Sequence, residues 1–162
     1  MVEISILAQP FDPEAEQRDF RGGNSRVGAV VSFLGLMRDL NQGEAIQRMS
    51  LEHYPGMTEK ALAQIIAEAR QLWPITAVRL IHRVGELEPE EPIVLVLVAS
   101  EHRGEAFRAC EFLIDYLKTR APFWKREINT QGQAHWVEGR QSDQTAAERW
   151  ELGWDLDRLV CK

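Results

Sequence analysis

Between Tyr116 and Glu127 the chain reads Tyr-Leu-Lys-Thr-Arg-Ala-Pro-Phe-Trp-Lys-Arg-Glu, which sets Lys118, Arg120, Lys125 and Arg126 around an aromatic pair with no acid between Asp115 and Glu127. Cations at this density create a local positive field that suits an anionic ligand or the carboxylate terminus of a partner chain. The field runs against the sequence as a whole, in which 25 Asp and Glu outnumber 19 Lys and Arg.

Lys118 is the first candidate for chemistry. Apolar residues at Ala106, Phe107, Cys110, Leu113, Ile114, Leu117 and Ala121 predict a helix over 104–121 that is ended by Pro122. At 100° per residue Lys118 falls on the margin of that stripe. A lysine partly desolvated there, beside other cations, has its pKa pushed toward neutrality and can act as a base or nucleophile. The competing reading is structural: the alkyl stem covers the edge of the core and the ammonium reaches water.

Other candidates cluster near predicted element ends. Ser100-Glu101-His102-Arg103-Gly104 precedes the same helix, so His102 and Arg103 stand beside free backbone donors that favour phosphate. A capping or plain surface role fits His102 equally well. Arg38 follows a predicted strand, where its guanidinium can clasp phosphate in bidentate fashion if other cations join it. Cys110 lies in mid-stripe and reads as an inert core thiol. His53 and His82 lie inside predicted strands and His135 in a hairpin, with no metal-type spacing. The segment Arg21-Gly-Gly-Asn lacks the pattern of a phosphate or dinucleotide loop. No metal and no cofactor is expected.

At 162 residues, 44% hydrophobic and 27% charged, the chain fits one soluble domain able to bury its own core. Its net charge of −6 argues against nucleic acid, since phosphate neutralisation needs extended positive charge. No apolar run approaches the roughly 20 residues of a membrane span. Two distant cysteines suggest no disulfide framework, and a cytoplasmic protein is expected.

Alternation predicts strands over 2–7, 27–37, 48–54, 76–84, 92–100, 124–129 and 133–138. The 27–37 and 48–54 strands are expected to form a hairpin with a long tip at 38–44. Helices are expected over 12–21 (closed by Gly22-Gly23), from Thr58 to Trp73, over 104–121 and over 142–150. Strands and helices mix without a regular βαβ repeat, which predicts an α+β domain on a largely antiparallel sheet. One domain is expected over 1–150 with a tail over 151–162.

Four blocks carry a resemblance: Leu51-Glu-His-Tyr-Pro-Gly-Met-Thr-Glu-Lys60, Ile81-His-Arg-Val-Gly-Glu-Leu87, Ser100 with His102-Arg103, and Asp115 to Glu127. Together they closely resemble the MoaE family, the large catalytic subunit of molybdopterin synthase, from about Gly28 to Trp150. The resemblance implies an α/β hammerhead fold with a small added β subdomain. It also implies a homodimer core flanked by two small ubiquitin-like sulfur-carrier subunits, together a heterotetramer. The implied reaction moves two sulfurs from the thiocarboxylate at the carrier's Gly-Gly C-terminus to cyclic pyranopterin monophosphate, giving the dithiolene of molybdopterin. Sulfur arrives on the partner, so this chain needs no catalytic cysteine.

By the same resemblance Lys118 and Lys125 match the family's catalytic lysines, and Arg38, His102, Arg103 and Arg126 match its substrate-contacting cations. Arg140, in a Val-Glu-Gly-Arg segment, is a further substrate candidate that is expected to reach a site across the dimer. Leu36 and Met37 stand where family members often carry a basic residue, so no substrate contact is carried over there, nor from the 38–44 loop beyond Arg38. Two other classes use the same cations: a non-catalytic module that docks a ubiquitin-like tail, and a phosphate-ester hydrolase with His102 as base.

Overall fold

The computed structural model describes residues 1–21 and 24–151. Apolar β7 (Pro92–Ser100) is the centre of the first sheet. It pairs antiparallel with β5 (Ile75–Arg83) on one side and with β2 (Ala29–Leu36) on the other. β1 (Val2–Leu7) adds to β5 in parallel, which gives the order β1-β5-β7-β2. β7 is apolar throughout because both of its faces are covered. Val94, Val96 and Val98 meet the helices α2 (Met57–Leu72) and α3 (Arg103–Arg120), while Leu95, Leu97 and Ala99 meet Phe20 of α1 (Pro13–Phe20).

A second, five-stranded sheet holds β3 (Leu40–Asn41), β4 (Glu44–His53), β8 (Phe123–Asn129) and β9 (Ala134–Val137), with β6 (Gly85–Leu87) against β4. Its small core gathers Met37, Ile46, Met49, Leu51 and Leu87. Ile93 packs against this core and the main one, so the two sheets share a wall. His82 of β5 stacks on Phe123 at the start of β8 with ring centroids 3.9 Å apart, a second tie between the sheets. Every ladder but β1–β5 is antiparallel, and the α+β architecture expected from sequence is present.

One expected pairing is wrong. β2 and β4 are not a hairpin, because β2 buries itself against β7 in the first sheet while β4 belongs to the second. The hairpin at this point is β3–β4, closed by Gln42 and Gly43 with φ of 51° and 84°, the pair of left-handed residues that a tight two-residue turn requires. The helix over 57–72 begins after Gly56, whose N–H donates to Glu59 at 2.6 Å; Thr58 instead bonds back to Tyr54. The expected Gly22-Gly23 helix stop and the tail beyond Glu151 lie outside the described residues.

α4 (Gln141–Glu151) lies along α3. Arg149 reaches Glu111 at 2.6 Å and Asp115 at 2.7 Å, and the Trp150 indole donates to Asp115 at 2.8 Å. Trp150 also closes edge-on against Trp73 and Phe112. These contacts fix the far end of α4, and so carry its first turn to the C-terminal end of α3.

Candidate functional site

The hairpin β3–β4, strand β9 and the segment leading into α4 enclose an open cleft of about 730 Å³. Arg38, Asn41, Gln42, His135, Trp136 and Arg140 stand in its wall. A small recess of about 50 Å³ shares Arg38 and Asn41 with it and adds Lys125 and Glu127. The structure therefore brings together Arg38, Lys125 and Arg140, three of the cations singled out from the sequence. Arg140 lies in the same chain's cleft, so no crossing to a second copy is needed to place it beside Arg38.

Lys125 and Glu127 point to one face of β8, as strand alternation requires. Their Nζ and Oε1 are 2.6 Å apart, and Glu127 is only 2% exposed. Its other oxygen accepts from Asn41 Nδ2 at 2.8 Å, with His135 Nε2 at 3.8 Å. Burial pushes the Glu127 carboxyl up, but the hydrogen bonds from Lys125 and Asn41 and the nearby charges of Lys125 and His135 outweigh it. The group is held below the usual carboxylate range and stays ionised. The Lys125 side chain is thereby held against a buried, ionised carboxylate.

Arg126 faces the other side of β8. Its guanidinium lies over the Trp136 ring, 5.6 Å from the centroid, and its buried Nε has no hydrogen-bond partner. Trp136 pairs with Arg126 across the β8–β9 ladder and is 53% exposed.

Lys118 corrects a physical expectation. Its side chain is 48% exposed, so the desolvation argued from the helical stripe is absent in the single chain. Its Nζ pairs with Asp143 Oδ1 at 3.2 Å, in the first turn of α4, next to Gln141 and Ser142 of the cleft wall. Lys118 itself does not line the cleft; it stands at its rim. Arg120, from the same cationic run, is turned away to Glu68 of α2 with two bonds of 2.7 and 2.9 Å.

His102 and Arg103 are elsewhere. They open α3, and the 15 residues from Arg103 to Lys118 span roughly 22 Å of helix. His102 is exposed, makes no side-chain cap and lies 3.9 Å from Glu101. Within one chain these two residues do not meet the other candidates. Cys110 is buried, and burial, with the charge of Glu111 added, pushes its thiol up to about 12. That is the inert core thiol read from the sequence.

Sequence reasoning missed Glu127, Asn41, His135, Trp136 and Asp143. Glu127 carried a usable signal, since it sits two residues from Lys125 in a strand and so shares its face. His135 and Trp136 lie on β9, the facing strand of the expected hairpin, whereas Asn41 and Asp143 come from segments far from their partners in sequence.

Fold and site together define an α+β protein with a cleft lined by Arg38 and Arg140 and an adjoining recess in which Glu127 holds Lys125, a class suited to binding a small anion. The chain belongs to the MoaE protein family, whose family model matches residues 6–120. It is 55% identical over 148 residues to the molybdopterin synthase catalytic subunit of Pseudomonas aeruginosa, covering 91% of this chain and 98% of that one. The Escherichia coli molybdopterin synthase catalytic subunit is 52% identical over 152 residues, covering 93% and 100%. Among solved structures, the Burkholderia ambifaria MoaE protein superposes with a TM-score of 0.78 at 48% identity, covering 93% of this chain and 99% of that one. Staphylococcus aureus molybdopterin synthase gives 0.76 at 36%, covering 83% and 96%.

Proposed function

We propose that this chain is the catalytic subunit of a molybdopterin synthase, moving sulfur from a carrier's C-terminal thiocarboxylate to cyclic pyranopterin monophosphate. The observation that supports the reading, beside family membership, is that the cleft holding Arg38 and Arg140 shares Arg38 and Asn41 with the recess that holds Lys125, while Lys118 pairs with Asp143 beside the cleft wall. Both reactants are anions, and the cleft and its recess set cations from three separate segments of the chain near one another.

The two lysines differ in a way that assigns their parts. Glu127 is nearly inaccessible and holds Lys125 at 2.6 Å. Lys125 is therefore a fixed positive charge, able to stabilise negative charge as it develops on the thiocarboxylate oxygen. The Lys118–Asp143 pair is longer and largely solvated, and such pairs contribute only about 0–1 kcal/mol. An arriving carrier tail displaces Asp143 at little cost and buries the amine, which favours the neutral form that can move a proton or take the acyl group.

In each transfer the carrier's sulfur forms a bond to a pterin side-chain carbon, whose carbon–oxygen bond breaks with the oxygen leaving as water or, at the carbon that carries the cyclic ester, on the phosphate, and the bond between sulfur and acyl carbon breaks. The acyl carbon passes to water, with Lys118 moving the proton, or to the Lys118 amine for later hydrolysis. Two carriers supply the two sulfurs. Arg38 and Arg140 hold the cyclic phosphate. His102 and Arg103, roughly 22 Å from Lys118 along α3, serve the cleft of a second copy in the homodimer that the family resemblance implies. Arg126 acts from the far side of β8 through the Trp136 wall. The buried free thiol of Cys110 suits the reducing cytoplasm.

Single-turnover sulfur transfer with Lys118→Ala and Lys125→Ala tests the assignment. Lys118→Ala is expected to abolish transfer while cyclic pyranopterin monophosphate still binds. Transfer at the parental rate would remove Lys118 from the chemistry. Carrier binding without turnover by the parent chain would favour the docking module instead, and phosphate-ester cleavage without a carrier would favour the hydrolase.

A further inference from the structure

The β3–β4 turn begins at Asn41, whose side chain the proposed reaction leaves without a part. Asn41 Nδ2 donates to Glu127 Oε2 at 2.8 Å, and Asn41 Oδ1 accepts from Arg140 Nη2 at 2.7 Å. Glu127 Oε1 in turn holds Lys125. A continuous chain thus runs Arg140–Asn41–Glu127–Lys125 through three segments of the sequence, from the guanidinium in the cleft wall to the amine in the recess.

The amide has one workable orientation. Turned over, its oxygen would face a buried carboxylate and its NH2 a guanidinium, leaving acceptor against acceptor and donor against donor. The backbone beneath it is equally fixed, since Asn41 pairs with Glu44 across a turn of only Gln42 and Gly43. Asn41 also lines both the cleft and the recess. A residue needed only to form the turn has no requirement for a donor on one side and an acceptor on the other.

We propose that Asn41 is a positioning residue that sets the anion-binding Arg140 and the Lys125 ammonium in register with each other. Arg140 is exposed, and without Asn41 it sweeps a wide volume. Glu127 without Asn41 has a free oxygen that Lys125 can follow, so the amine loses its fixed direction. The two effects fall on different steps, ligand capture and chemistry. What passes through the cleft rests on the proposed synthase reading, but the linkage itself does not.

Asn41→Ala and Asn41→Asp separate this role from turn formation. Asp serves at that position of a turn as well as Asn, yet it sets a second carboxylate against Glu127. With cyclic pyranopterin monophosphate and thiocarboxylated carrier, Asn41→Ala is expected to raise KM for the pterin about tenfold, the scale of one charge-assisted hydrogen bond, and to lower kcat. Asn41→Asp is expected to lose more kcat than Asn41→Ala. Wild-type kinetics in Asn41→Asp would overturn the proposal.

A second arm needs no turnover. In the ligand-free protein, the Glu127 carboxyl followed by 13C NMR is expected to titrate higher in Asn41→Ala and higher still in Asn41→Asp. The Arg140 side-chain N–H resonance is expected to exchange faster in Asn41→Ala than in the parent, and inorganic phosphate is expected to bind that variant about tenfold more weakly. Unchanged resonances and phosphate binding would refute the linkage. If those shifts occur while the parent shows no sulfur transfer, the synthase reading fails and the Asn41 linkage stands.

Discussion

Lowering the pH from 7.5 to 5.5 should destabilise this protein through a single buried imidazole. His82 is 4% exposed, stacks on Phe123 and has Nδ1 2.7 Å from the Arg83 carbonyl oxygen. Burial pushes it down from 6.5 to about 4, against the opposing pull of the Arg83 carbonyl; the charge of His53 adds a little to the fall. The folded pKa lies below the unfolded one, so between pH 6.5 and about 4 the unfolded chain binds a proton that the folded chain does not. The stability is complete above pH 6.5 and is lost as the pH falls through that window. Linkage with those two values gives a loss on the order of 1 kcal/mol between pH 7.5 and 5.5, roughly a tenfold change in the folded-to-unfolded ratio. Urea unfolding at both pH values reads this directly, with His82→Gln as the control. The variant starts less stable because it loses the stack, but its pH dependence should be flatter by the same amount. Equal slopes in parent and variant would refute the reasoning. Because Phe123 begins the strand that carries Lys125, acid should also loosen the recess before the first sheet opens, visible as faster amide exchange in β8 than in β7.

Arg120→Ala should lower stability by about 1 kcal/mol, read as a shift in urea midpoint at constant slope, because it breaks a half-exposed bidentate pair with Glu68 and its cover over the Tyr116 ring. Sulfur transfer should continue at the parental rate, since Arg120 points away from the cleft. Cys110 should resist iodoacetamide at pH 8 in the folded protein, by peptide mapping, and react once urea exposes it, because only the thiolate is reactive. Gly28→Ala should destabilise strongly in thermal melts, since a Cβ there would collide with the Glu101 carbonyl.

The elements whose burial is self-contained were legible in the sequence. The apolar run of β7 and the helical stripe of α2 name their own faces, and Pro122 marks where α3 must stop; the α3 stripe was legible only in part, since Phe107, counted in it, is 62% exposed while Ala109, Phe112 and Tyr116, left out of it, are buried. Sheet membership was not legible at β2 and β4, because adjacency in sequence suggested a hairpin while the faces to be buried lay in different layers. Lys118 shows a second limit. Periodicity placed it correctly on its helix, but its exposure and its Asp143 partner depend on where α4 is anchored, which Arg149 and Trp150 decide. Lys125, Arg38 and Arg140 could be named one by one, whereas the link that orders them joins Asn41 to Glu127 across 86 residues. No local pattern announces such a bond. The block resemblance to the MoaE family supplied what spacing could not, and family membership is borne out over most of the chain.

The most direct test of the account is reconstitution: the purified chain, cyclic pyranopterin monophosphate and a thiocarboxylated carrier, with mass analysis of the pterin. The account predicts a product carrying two sulfurs, formed with the thiocarboxylate carrier and absent with the ordinary carboxylate form. No product from a competent carrier, or the same product from the carboxylate carrier, would contradict it.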